Sequence, residues 1–356
     1  MAFSPLFIKP VHYRDKSPVF SSGKVHKNRR KGLETSVVID LNIISKMKDV
    51  ILGKTGYEES GLQYAVKEFN KSPLYLSPGF SFNEADRDYY EELYTSFELF
   101  LKKYCPTYID APNSLALPPP KESKRTFKEL STGERYMHSI SYLSMLLIQI
   151  IMRNFRGYSP IQKFEKYVEY MVSKVDFLTV IEAEIARYCF FESNECKDIL
   201  FKKFCDKIHD NFLKKGNKKY ILKNALNSAS DIIYYRVVAI QSNEELDGVI
   251  QDTWLLTADE GLKYIAQSIY FIPSFDGCDH KAVRLVRNNF QRQSSYWRSC
   301  DELFESYNFQ RNFINFARFT SQECESKFKL ITNCILSLEN ELVEDYLNYF
   351  ENLYME

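Results

Sequence analysis

The chain lacks a net charge: Lys and Arg together number 47, and so do Asp and Glu. The overall balance therefore gives no hint of a polyanionic partner. None of its eight cysteines (105, 189, 196, 205, 278, 300, 324 and 334) forms a C-x-x-C pair. Cys278-Asp279-His280 offers one Cys and one His without a second pair, which is weak ground for zinc. Several cysteines lie in apolar helical stretches, so buried thiols in a reducing cytoplasm are expected. Long apolar runs are also missing. The longest, near Tyr142–Met152, contains Ser144 and Gln149 and is too short and polar to span a bilayer, so no membrane partner is expected. The start, Met1 to Pro10, has two prolines and no apolar core of the kind a signal peptide needs. No internal repeat is visible.

What is present suits a packed protein. At 356 residues the chain is long enough for two domains, or one with a large insertion, and 45% hydrophobic content makes a core feasible. Charge is distributed unevenly. Residues 1–35 carry eight Lys/Arg against Asp15 and Glu34, including Lys27, Arg29, Arg30 and Lys31. Residues 339–356 carry six acids and no base. A basic head of this kind reads as a phosphate-binding arm or as a solvated end.

Patterning divides the chain into five parts. Residues 1–32 read as an extended basic arm. Residues 33–104 and 220–275 read as two pieces of one α/β core. Residues 105–219 read as a linker around Pro118-Pro119-Pro120 plus a helical insertion of four amphipathic segments, and residues 276–356 as a helical C-terminal region. Within the core, strands are expected at Leu33–Asp40, Leu74–Leu76, Thr253–Thr257 and Ile269–Ile272. Helices are expected near Ile43–Leu52, Glu58–Asn70, Asn83–Tyr104, Ser228–Gln241 (with Ser228 as N-cap) and Glu260–Ser268.

Four acids occupy comparable places. Asp40 ends the first strand, Glu84 opens the helix after the second, Asp231 opens the helix before the third, and Asp259 follows the end of the third. Right-handed crossovers bring such strand ends to one edge of a sheet, where open α/β folds bind ligands. Carboxylates gathered there repel one another unless a cation compensates, and hard oxygen donors select Mg²⁺ or Mn²⁺. Glu59 and Glu91 lie near Glu84 in sequence, and Glu182 and Glu184 offer carboxylates within the insertion. No histidine is placed to act as a base.

On these residues the chain resembles PIN-domain nucleases. Val37-Val38-Ile39-Asp40-Leu41-Asn42 is similar to that family's opening strand running into Asp-Thr-Asn, with Leu41 in place of Thr. Phe82-Asn83-Glu84-Ala85, Ala229-Ser230-Asp231-Ile232 and Leu255-Leu256-Thr257-Ala258-Asp259 match its later elements. The resemblance covers roughly residues 33–86 and 220–275. It implies a Rossmann-like parallel sheet of about four to five strands with a large helical insertion and a helical C-terminal region. It also implies a metal-dependent endoribonuclease in which Asp40, Glu84, Asp231 and Asp259 hold one or two divalent ions and Asn42 and Thr257 orient carboxylates or water. RNA is the implied substrate, with DNA left open. A toxin or phage-defence effector with an antitoxin or defence-system partner, and self-association, are the settings that accompany such enzymes. Two further basic regions stand beside this. Lys214, Lys215, Lys218, Lys219 and Lys223 read as a solvated helix end more than as RNA-backbone contacts. Arg284, Arg287, Arg292, Arg298, Arg311 and Arg318 with Tyr296 and Trp297 suit single-stranded nucleic acid, or equally a packed aromatic core.

Overall fold

A computed structural model describes residues 3–12, 18–85, 87–108, 126–193, 196–213, 220–242, 244–246, 248–272, 282–311 and 321–355. In chain order the first elements are β1 (Leu6–Ile8), β2 (Val11–His12), α1 (Ser22–Arg30), β3 (Leu33–Ile39), α2 (Leu41–Ile51), α3 (Gln63–Lys71), β4 (Leu74–Ser77), α4 (Gly79–Glu84) and α5 (Arg87–Tyr104). A helical series follows: α6 (Thr132–Asn154), α7 (Pro160–Tyr170), α8 (Val180–Phe190), α9 (Ile199–Phe212) and α10 (Ile221–Gln241). Then come β5 (Glu245–Leu246), β6 (Val249–Thr257), α11 (Glu260–Ser268), β7 (Ile269–Ile272), β8 (Ala282–Leu285), α12 (Asn289–Gln293), α13 (Ser295–Arg311) and α14 (Ser321–Met355).

The chain folds into two compact units. Residues 1–129 and 234–267 form the first, and residues 130–233 and 268–356 the second, with the boundary cutting α10 between Ile233 and Tyr234. The first unit is an α/β fold around a small mixed sheet of order β1-β6-β3-β4, with β5 also on β6. Strand β3 pairs in parallel with both β4 and β6, whereas β1 and β5 pair with β6 antiparallel. Val37, Val38 and Ile39 are β-branched and buried, as a central strand requires. Helix α2 buries Ile43, Ile44, Met47 and Val50, the spacing of one helical face, in a core with Phe69, Phe82, Phe100 and Trp254. Gly61 sits at φ +76°, and a Cβ there would meet the Phe3 carbonyl oxygen at 2.0 Å, so only glycine fits.

Four sequence expectations change here. The basic head is not an extended arm: β1 joins the sheet (Leu6 opposite Thr257, Ile8 opposite Leu255), and α1 packs beside β3. The buried Asp252 explains the order, since it accepts from Lys9 Nζ, Asn28 Nδ2 (2.7 Å), Thr35 Oγ1 (3.2 Å) and Trp254 Nε1 (3.0 Å). The sheet is mixed rather than wholly parallel. The expected helix from Asn83 to Tyr104 is interrupted because Ala85 has an extended backbone (ψ 142°), so Glu84 closes α4 and opens nothing. Lastly, α10 begins at Ile221, and Ser228 and Asp231 lie inside it. Ser228 Oγ donates to the Asn211 carbonyl and Ser230 Oγ to that of Leu226, so neither hydroxyl is used as a cap.

The second unit joins the expected insertion and the C-terminal region in one body. Helices α6, α7 and α12 start with capping boxes, Ser131/Glu134, Ser159/Gln162 and Asn288/Gln291. Strands β7 and β8 form an antiparallel hairpin in this unit, so Ile269–Ile272 is not a fourth strand beside β6. Seven described cysteines are free thiols, with Cys105, Cys189, Cys205 and Cys300 buried. Pro118–Pro120, Lys214–Lys219, Cys278–His280 and Arg318 lie outside the described residues. Among the described residues no helix is long and apolar enough to cross a membrane.

Candidate metal centre

Strand β3 lies between β4 and β6, and chain order reverses across it, so the crevice of this sheet opens at the carboxyl ends of β3 and β6. Both strands end in the same way. Asp40 follows β3 and N-caps α2, with its carboxylate accepting from the Asn42 backbone N–H at 3.4 Å. Asp259 follows β6 and opens α11, its carbonyl accepting from Lys263 N at 3.3 Å. The two strands are in parallel register, Ile39 opposite Leu256, and Asp40 N donates to the Leu256 carbonyl at 2.9 Å. That register brings a carboxylate oxygen of Asp40 within 4.8 Å of one of Asp259.

Asn42 and Thr257 hold the pair. The Asn42 amide group donates to Asp40 Oδ2 (2.7 Å), Asp259 Oδ2 (3.2 Å) and Thr257 Oγ1 (3.3 Å). Its own oxygen accepts from Ala258 N at 3.2 Å, which fixes the amide's orientation. The buried Thr257 hydroxyl donates to Asp40 and accepts from Asp259 N at 3.1 Å. Asp40 is only 4% exposed. Burial, then the charges of Asp259 and Glu84, push its carboxyl up to about 8 against the lowering hydrogen bonds from Thr257 and Asn42. Two helix N-termini, of α2 and α11, bring their positive dipole ends to this same edge.

Glu84, half-buried at the end of α4, stands close enough to raise Asp40 and accepts from the hydroxyl of Tyr234. Tyr234 is buried and packs edge-on against Phe80, and burial with Glu84 and Asp40 nearby holds its phenol well above the ordinary tyrosine value. Sequence reasoning missed Tyr234. Its signal was the spacing to Asp231, three residues on along one helix and hence the same face. Asp231 belongs to the other unit, where it is 7% exposed and accepts from Asn211 Nδ2 at 3.3 Å.

The alternative acids are committed elsewhere. Glu182 accepts from Ser141 and Thr179, and Glu184 lies between Arg187 and Arg287. Glu59 and Glu91 are exposed. Of the basic candidates, Lys27, Arg29, Arg30 and Lys31 are exposed at the end of α1 and just beyond it. Arg287 pairs with Glu184 and Asp301 and lies 5.0 Å from the Trp297 ring centroid. Trp297 is fully buried, 4.8 Å from the Tyr188 centroid, so the aromatic alternative of core packing holds for this pair. Arg284 lies on β8 with its side chain outside the described residues. No protein-family model matches the chain, and comparison with curated proteins and with solved structures returned no match.

Proposed function

We propose that this protein is a divalent-cation-dependent endoribonuclease of the PIN-like kind, holding Mg²⁺ or Mn²⁺ on Asp40 and Asp259 with Glu84 beside them. The observation that carries the reading is the repeated strand–Asp–helix element, which sets two carboxylates together at the sheet's crevice.

The donor set fits such an ion. It is all oxygen, the choice of hard cations. Among the described residues no Lys or Arg pairs with the buried Asp40, so its negative form calls for a counter-charge. A bound cation would lower the pKa of a water and offset charge gathering on the scissile phosphate. The chain's own groups do the rest. Asn42 and Thr257 fix the carboxylates in orientation, and the N-termini of α2 and α11 favour an anionic phosphate beside them. Hydrolysis by in-line attack leaves a 5′-phosphate and a 3′-hydroxyl. A toxin or defence setting, with a partner protein that restrains the enzyme, belongs to the same proposal.

One observation favours a second reading, a scaffold that binds RNA or protein without cutting. The Asn42 amide already bridges Asp40 and Asp259, so the cluster is partly satisfied without an ion. Cleavage of end-labelled RNA in Mn²⁺, with single-stranded DNA in parallel, separates the two. The nuclease reading expects cutting by wild type, with at least a hundredfold loss in Asp40→Asn and Asp259→Asn, a loss typical of removing a main electrostatic group. Cutting of DNA alone would change the substrate. Wild type as inert as both variants would leave the scaffold.

A further inference from the structure

Helices α1 and α3 lie side by side and run in the same direction. Tyr64 Oη donates to the Phe20 carbonyl (3.3 Å), Ser22 N to Glu68 Oε2 (2.9 Å) and His26 Nε2 to the Lys71 carbonyl (3.0 Å), each contact further along both helices. Asn28 then ties α1 to the buried Asp252. The basic segment is thus tied into the first unit by hydrogen bonds. On its outer side Lys27, Arg30 and Lys31 share one face at i, i+3 and i+4, and all are exposed. On α3, Tyr64, Lys67 and Lys71 share a face at i, i+3 and i+7, with both lysines exposed and Tyr64 45% exposed.

Acids are segregated from this surface. Helix α1 contains none, and the single acid of α3, Glu68, is buried against the α1 N-terminus. Glu58 and Glu59 border it before α3. Glu34, Glu244 and Glu245 border it at the start of β3 and β6. The stripe runs about 10 Å, from Tyr64 to Lys71, by helical rise alone. It adjoins the start of β3, and the seven residues of that strand separate it from Asp40 by roughly 23 Å.

We infer that the α1/α3 face is a docking surface for single-stranded nucleic acid, with Lys27, Arg30, Lys31, Lys67 and Lys71 on phosphates and Tyr64 as a stacking platform. Cations spaced along two helices match a repeating phosphate backbone, and an exposed ring among them accepts any base face. This deepens the nuclease reading by giving the substrate a second foothold remote from the acids, and it needs no metal.

The test is fluorescence anisotropy of a labelled single-stranded RNA of about 20 nucleotides on the full chain in EDTA, over a salt series. Thermal melts confirm that each variant is folded. A triple change, K27E/R30E/K31E, should weaken binding about tenfold or more and lower the salt slope by about 2, at roughly 0.7 per phosphate contact. K67E/K71E should act in the same direction. Tyr64→Leu should weaken binding about fivefold with the slope unchanged, while Tyr64→Phe keeps a ring and binds as wild type. A single-stranded DNA arm that binds equally supports the same phosphate chemistry. The inference is overturned if wild type binds no strand, if the charge reversals leave affinity intact, or if an RNA duplex or phosphatidylserine vesicles bind better. Loss of Mn²⁺ binding at Asp40 would leave this result untouched, so the two readings fail separately.

Discussion

Asp40 concentrates the chemistry at the scale of single residues. A carboxyl that ordinarily loses its proton near 3.8 holds it to about 8 here, chiefly through burial and then through Asp259 and Glu84. The sign of the linkage follows. Below about 4 both folded and unfolded chains keep the proton and nothing is lost. Between about 4 and 8 the unfolded chain has released it while the folded chain has not, so the unfolded state binds fewer protons and stability falls as pH rises. In EDTA the melting temperature of wild type should therefore decline from pH 5 to pH 8, and Asp40→Asn should flatten that decline. A wild-type profile identical to that of the variant would remove Asp40 from the electrostatic account. With a divalent cation the trend reverses, because the ion competes with the proton for the same oxygens. Gly61 shows a different constraint, one of space alone, and Gly61→Ala should destabilise the first unit because the Phe3 backbone cannot withdraw as a flexible side chain would.

Between elements, the second unit is tied by charge as well as by packing. Glu184 and Arg187 of α8, both without exposed side-chain surface, meet Arg287 from the β8–α12 connection and Asp301 of α13. The Arg187 guanidinium also lies near Phe164 and Phe304 at 5.1 and 4.8 Å. Removing one member leaves a charge stranded in the interior, which costs about 3–5 kcal/mol. Arg287→Ala should lower stability by that order in a urea titration while leaving RNA affinity per folded molecule unchanged. A stable Arg287→Ala protein that had lost RNA binding would instead return this arginine to the nucleic-acid surface.

At the scale of the whole chain, the legible parts were those where local pattern and packing agree. The apolar run Val37–Ile39, the heptad-like spacing of Ile43, Met47 and Val50, and the strand–Asp–helix passage around Leu256–Glu260 stand in the structure as their sequence suggests. What was hidden depends on partners distant in sequence. Nothing in residues 6–8 announces pairing with residues 255–257, and nothing around Lys9 announces Asp252. Ser228 resembles a cap because its satisfaction by Asn211 comes from another helix. The tyrosine that reaches Glu84 lies 150 residues away from it. The proposed site stands or falls on whether the acids at the ends of β3 and β6 hold a divalent cation. Calorimetric titration of Mn²⁺ into wild type, Asp40→Asn and Asp259→Asn at pH 8 tests it most directly. Wild type should show a saturable site that weakens at least tenfold in each variant. Equal heats in all three proteins, or none in wild type, would contradict it.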